Sequence, residues 1–174
     1  MQKGLTIVYT GHGKGKTTAA LGLAIRSRAC DKKVLFLQFI KGPWRSSEIK
    51  ILKKLGVEVQ VFGLGFVGIL GDEKPKQEHM EAAHQALVSA RKAIQSNKYG
   101  LIILDEILIA QKIGLIPESD ILKLIKNKPK KLNLVLTGRG APSKIKSVAD
   151  LVTEMKAIKH PYFGGIKARK GLDY

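Results

Sequence analysis

Three glycines alternate with polar residues ahead of a Lys-Thr-Thr in Thr10-Gly11-His12-Gly13-Lys14-Gly15-Lys16-Thr17-Thr18. The spacing is that of the phosphate loop G-x-x-x-x-G-K-[ST], with Thr10 where the first glycine belongs. The chemistry tolerates that exception. Gly11, Gly13 and Gly15 let the backbone turn successive N–H groups toward an anion, and the helix that follows adds its positive end. Lys16 brings a point charge to the phosphates, and Thr17 a hydroxyl suited to Mg²⁺. Farther along, Leu101-Ile102-Ile103-Leu104-Asp105-Glu106 is an apolar run ending in two acids. A strand of this kind delivers a carboxylate to the metal that accompanies a bound polyphosphate. Spacing leaves open whether Asp105 or Glu106 touches the metal. Lys41 and Arg139 follow two other apolar runs and could reach the phosphates, and Gln38, within the first of those runs, is a further candidate of unassigned role.

Other chemistry-bearing residues are isolated. His79 and His84 are five apart on a helical stretch, do not share a face, and read as surface histidines. His160 has no partner in the sequence. Cys30 has no nearby histidine, reads as a buried packing residue, and cannot form an internal disulfide.

The elements that must position these groups are legible from apolar periodicity. Short runs at Leu5–Thr10, Val34–Ile40, Val57–Phe62, Leu101–Leu104, Leu132–Leu136 and Leu151–Ile158 read as strands. Helices are expected from about Lys16 to Ala29, from Ser47 to Leu55, through Met80, Ala83, Leu87, Ala90 and Ile94, and from Pro117 to about Asn127. Strands apolar on both faces and separated by helices predict a mostly parallel sheet of about six strands between helical layers. In such α/β sheets ligands bind outside the carboxyl ends of the strands, where these residues fall. The expected fold is therefore a three-layer P-loop NTPase domain of RecA type spanning residues 1–174.

Bulk composition limits the alternatives. No apolar run approaches a membrane-spanning length, and the start MQKGLTIVYTG has no signal-peptide layout, so a cytoplasmic protein is expected. The net charge of +17 favours anionic partners. The lysines are scattered, however, and no segment interleaves them with aromatics, so nucleic acid has no motif behind it. The residues alone are compatible with an ATP-dependent phosphotransferase or hydrolase. Charge alone raises a nucleic-acid-stimulated ATPase.

The stretches TGHGKGKTTAALG, QFIKGPW, GVEVQVFGLGF, LIILDE, NLVLTGRG, ADLVTEM and KHPYFGGIKARKGLDY, in this order, resemble the P-loop-type ATP:corrinoid adenosyltransferases over essentially the whole chain. That resemblance implies transfer of the 5′-deoxyadenosyl group of ATP to cobalt(I) of cobalamin or a cobinamide-like corrinoid, with release of triphosphate. It implies Mg²⁺ (or Mn²⁺), a homodimer, and a reductase such as a flavoprotein to supply the electron. Thr10 through Thr18 and Arg139 would bind ATP, in the direction opposite to that in most P-loop enzymes. Thr17 with Glu106 or Asp105 would hold the metal. The Gly63–Gly71 loop would face the corrinoid through Gly65, Phe66 and Gly68, with Phe66 displacing the lower axial ligand of cobalt. The chain departs from the pattern at Gly68, where relatives carry Trp, and at His12, where Asn or Asp is usual. It also begins almost at the first strand, where the resemblance implies an extension that caps the neighbouring subunit's site; with Gly68 this leads to the expectation of corrinoid binding that is weaker, differently shaped or less enclosed.

Overall fold

The computed structural model describes residues 3–42, 47–65, 67–68 and 72–173. Six strands form one sheet: β1 (Thr6–Thr10), β2 (Val34–Gln38), β3 (Glu58–Val61), β4 (Leu101–Asp105), β5 (Asn133–Thr137) and β6 (Leu151–Glu154). Their order is β3-β2-β4-β5-β1-β6, and every pairing is parallel. One strand, β5, separates β1, which leads into the glycine loop, from β4, which ends in the acids. Between the strands lie α1 (Lys16–Ala29), α2 (Glu48–Lys54), α3 (Lys76–Gln95), α4 (Ile107–Lys112), α5 (Glu118–Lys126) and α6 (Ser143–Val148).

Alternate side chains of the central strands build two cores. Leu35, Leu37, Ile102, Leu104, Leu134 and Leu136 pack on one face against α3, α4, α5 and α6. Val34, Phe36, Leu101, Ile103 and Val135 pack on the other against Ala20 and Ala24 of α1 and Leu52 of α2. Each fully buried Leu or Ile stabilises the fold by roughly 1.5–3 kcal/mol, so the central strands are the least deformable part of the molecule. The small Ala20 and Ala24 let α1 lie close over the sheet. The glycine loop is thereby held between a buried strand and a buried helix.

Most expectations about elements hold, with the usual shifts at their ends. β6 stops at Glu154 instead of running to Ile158, because its residues lie exposed at the sheet edge and nothing beyond it supports the ladder. α4 and α6 were not expected. Both are six residues long, too short to show a helical period. On α3 the buried face carries His79, Ala83, Leu87, Ala90 and Ile94, whereas Met80 is exposed. Cys30 is also exposed, lying at the cap that ends α1 and not within its packed face.

Candidate functional site

Parallel strands bring their last residues to one edge. Thr10 ends β1, Gln38 ends β2, Asp105 ends β4 and Thr137 ends β5. All four are buried polar side chains in a region otherwise filled by Leu, Ile, Val and Phe. Burying such groups is costly unless they satisfy one another, and here they do. Asp105 Oδ1 accepts hydrogen bonds from the hydroxyls of Thr17 (2.9 Å) and Thr137 (2.7 Å), and its Oδ2 accepts one from Gln38 Nε2 (3.2 Å). Thr137 Oγ1 in turn accepts the Glu106 N–H at 2.9 Å, and Thr10 Oγ1 accepts the Ala141 N–H at 3.1 Å. A threonine at the first loop position therefore ties β1 to the segment carrying Arg139, a bond glycine could not make. Among the described residues Gln38 Oε1 has no partner.

The glycine loop follows from β1 and is moulded against the exit of β6. A Cβ at Gly11 (φ +96°) would lie 2.3 Å from the Met155 carbonyl oxygen, and one at Gly13 within 2.7 Å of Lys156 backbone. Both positions therefore require glycine. The Gly13 N–H donates to Met155 O at 2.7 Å, so this amide is directed at β6 and not at a ligand, contrary to the expectation that all the loop amides face an anion. Gly15, at φ +114°, opens α1 with no side-chain cap, which leaves the first helical N–H groups available. Lys16 Nζ folds back onto the carbonyls of Gly11 (2.9 Å) and Gly13 (2.6 Å). Burial and Arg139 lower the Lys16 pKa, against the opposing pull of Glu106 and Asp105.

Above this floor lies a cleft of about 450 Å³. His12, Gly13, Lys14, Gly15, Lys16, Thr17 and Thr18 line it with Lys41, Glu106 and Arg139, whereas the predicted Thr10 and Gly11 lie outside the lining. Glu106 is the N-cap of α4 in a left-handed conformation (φ 61°), which turns its side chain out of the strand direction. Burial and the neighbouring Asp105 push its carboxyl up to about 7, with Lys41, Lys16 and Arg139 pulling the other way. Asp105 and Gln38 do not line the cleft but support it from below. The donors near Lys16 are therefore oxygens: one threonine hydroxyl and two carboxylates. That set suits a hard divalent cation completed by phosphate and water, and no group of three or more His, Cys, Asp or Glu occurs among the described residues.

Several residues of this region were not anticipated. Thr137 links Asp105 to the Glu106 backbone, and its position at the end of a strand was the available signal. His160 lines the cleft, accepts the Tyr162 N–H and meets the edge of Phe163. The chain's last residues fold beside the loop, where Asp173 pairs with Lys14 and accepts the Arg169 N–H. His79 is buried against Asp72, not on the surface; His84 is exposed as expected. Gly65 and Gly68 lie outside the cleft lining, and Phe66, Ile69, Leu70 and Gly71 lie outside the described residues. The start of their loop is not free. The Gly65 N–H donates to Ile40 O, and a Cβ at Gly63 would lie 2.1 Å from that same oxygen, so this backbone packs tightly against the exit of β2. Val67 packs against the core.

An all-parallel sheet with a glycine-rich loop after its first strand and a strand-end carboxylate bonded to the loop threonine defines an α/β protein of the P-loop NTPase type. Flagellar accessory protein FlaH from Methanocaldococcus jannaschii shares this fold, with a TM-score of 0.58 and 13% identity over 88% of this chain and 72% of that one. Residues 2–174 match the family model of ATP:corrinoid adenosyltransferase BtuR/CobO/CobP. Corrinoid adenosyltransferase of Escherichia coli strain K12 is 34% identical, covering 99% of this chain and 87% of that protein. Corrinoid adenosyltransferase CobA of Salmonella typhimurium is 35% identical over the same shares, and a Sinorhizobium corrinoid adenosyltransferase is 37% identical over 99% and 81%. The chain belongs to the ATP:corrinoid adenosyltransferase family and is a transferase with ATP and a corrinoid as its substrates. No described helix is long and apolar enough to cross a membrane.

Proposed function

We propose that residues 1–174 act as one unit that binds the triphosphate of ATP along Thr10–Thr18 and transfers its 5′-deoxyadenosyl group to a reduced corrinoid. The observation that carries this reading is the convergence of Lys16, Thr17, Glu106 and Arg139 on one cleft, over a buried Asp105 already bonded to Thr17. The cobalt(I) lone pair forms the bond to carbon 5′ as the bond from carbon 5′ to the α-phosphate oxygen breaks. Cobalt becomes cobalt(III) and triphosphate departs with the electron pair of the broken bond. Negative charge then grows on the whole polyphosphate, where Lys16, Arg139 and the helix N-terminus stabilise it more strongly than in the ground state. No proton is taken from cobalt(I), so no general base is required.

Mg²⁺ fits the oxygen donors here, and when bound it would neutralise part of the charge on the leaving triphosphate. Asp105 already accepts three hydrogen bonds from protein donors, so it orients Thr17; Glu106, which faces the cleft, is the direct ligand in this reading. Gly65, Phe66 and Gly68 face the corrinoid, with Phe66 aiding loss of the lower ligand so that cobalt(II) is reduced more easily. The enzyme works as a cytoplasmic homodimer with an electron-donating flavoprotein. Incubation with ATP, Mg²⁺ and chemically reduced cobalamin should yield a light-sensitive cobalt–carbon product. Absence of that product, with ADP formed instead, would leave a phosphotransferase as the better account.

A further inference from the structure

The segment that leaves β6 returns to the phosphate loop and is tied to it at both ends. Met155 O accepts the Gly13 N–H at 2.7 Å, and a Cβ at Gly13 would meet the Lys156 backbone. At the far end Asp173 pairs with Lys14. Taken as whole residues, Lys156 to Asp173 are exposed except His160, which is half-buried. Ile158 and Phe163 on either side of it are 91% and 81% exposed. A segment that leaves its apolar side chains in water and covers an imidazole is not arranged by hydrophobic packing. The covered imidazole lines the triphosphate cleft.

Hydrogen bonding fixes which ring nitrogen can act there. His160 Nδ1 accepts the Tyr162 N–H at 3.2 Å and so caps the short 3₁₀ turn Pro161–Gly164. A ring nitrogen that accepts carries no proton, so in this arrangement the ring proton sits on Nε2. Phe163 packs edge-on against the ring, with centroids 6.1 Å apart. Among the described residues no group accepts from Nε2. The cleft has use for such a donor. The Gly13 amide is spent on Met155, and Lys14 and Lys41 are paired with Asp173 and Glu48. The segment that takes up the Gly13 amide thus returns an N–H to the same cleft.

We infer that His160 is a substrate-contacting residue whose Nε2–H donates to an oxygen of the triphosphate of ATP. This inference rests on the triphosphate-binding role proposed above for Thr10–Thr18. The contact is with the polyphosphate and not the nucleoside, because both anchors of the segment, Gly13 and Lys14, belong to the loop. A donor already in place also holds the triphosphate as its charge grows.

The test measures binding of Mg²⁺·ATP and of inorganic triphosphate to the full-length enzyme by titration calorimetry, with His160→Asn, His160→Gln and His160→Ala. Asn keeps an acceptor for the Tyr162 N–H but is too short to replace the Nε2–H. Gln places an N–H near the position of Nε2 without the cap. His160→Asn and His160→Ala should weaken both ligands at least about tenfold and by similar factors, the scale for losing a hydrogen bond to a charged group. His160→Gln should recover most of that affinity. The thermal midpoint of His160→Asn should match the wild type, so that its loss is not one of folding. Wild-type affinity in His160→Asn would show that the imidazole only caps its turn and would overturn the assignment, as would equal losses in His160→Gln and His160→Ala. A loss confined to ATP would place the contact on the nucleoside and overturn it as well. A wild-type enzyme that binds neither ligand would instead overturn the triphosphate reading itself, and this inference with it.

Discussion

The triphosphate half of the cleft and the two segments flanking it are built on opposite terms. Around Asp105 every donor is fixed by a packed element: Thr17 of α1, Thr137 of β5 and Gln38 of β2 meet on one carboxylate. The loop glycines are pressed on β6, leaving little freedom before a ligand arrives. The C-terminal segment after β6 is its contrast. Ile158, Tyr162, Phe163 and Ile166 are exposed there, and Phe163 meets the rings of His160 and Tyr162. The loop from β3 to α3 stands between these extremes, with described anchors at Gly65, Val67, Gly68 and Asp72. The difference follows from the chemistry each part must perform. Stabilising a growing negative charge requires dipoles already in place, because rearranging them during the reaction would cost what they gain. Accepting a large planar partner requires exposed apolar surface that a folded core would have hidden.

The sharpest way to break this contrast is at Lys16. Lys16→Ala should lower turnover by about two to three orders of magnitude, the scale for removing one group that stabilises charge in a transition state. Thermal stability should barely change, since Lys16 bonds only to loop carbonyls. Thr17→Ala should be comparably damaging, with the loss expressed in the metal dependence. Wild-type kinetics in either purified variant would remove the loop from the mechanism.

A second prediction concerns protons. The Glu106 carboxyl is pushed up to about 7, well above the ordinary carboxylate range, so the folded, metal-free protein binds its proton more tightly than the unfolded chain. Stability from this group therefore falls as pH rises from about 4.5 to about 7 and stays lower above that. Glu106→Gln should raise metal-free stability at pH 8 by about 3 kcal/mol and flatten this dependence. Affinity for Mg²⁺ with ATP should rise between pH 6 and pH 8 in the wild type and lose that rise in the variant. A metal affinity independent of pH in the wild type would show that Glu106 is not a ligand.

Smaller effects sharpen the other side of the comparison. Phe66→Ala should impair turnover from cobalt(II) cobalamin more than from cobalt(I), whereas equal loss in both assays would indicate packing. Asp173→Asn should cost the least. The Lys14–Asp173 pair is partly exposed, and solvent screening leaves such surface ion pairs little net stabilisation. ATP affinity that moves less than about fivefold, measured by titration calorimetry, would agree with that. A larger change would mean that the chain's last residues belong to the rigid half.

The same contrast decides what could be read from residues alone. The loop Thr10–Thr18, the acids at the end of β4 and the strand pattern are signals of local spacing, and every strand but β6 was found near its expected bounds. Contacts between distant segments were not legible. Nothing in the chain announces that the Gly13 amide is taken by Met155, or that Asp72 reaches back to Gly68 and forward to His79. His79 was misjudged because its helical neighbours Lys76, Gln77, Glu78 and Met80 read as a solvated turn, while one buried partner seven residues upstream reverses that reading. The position of Asp105 beneath the cleft, with Glu106 facing it, depends on the left-handed turn at Glu106, which its residue type does not suggest.

The central claim is that this P-loop serves alkyl transfer and not phosphoryl transfer. Phosphorus NMR of ATP incubated with the enzyme, Mg²⁺ and reduced cobalamin tests it directly, with the cobalt–carbon product followed by its absorbance in the same sample. Intact triphosphate should appear in step with that product, mole for mole, and ADP should not accumulate. ADP and phosphate formed at the same rate with or without the corrinoid would contradict the account.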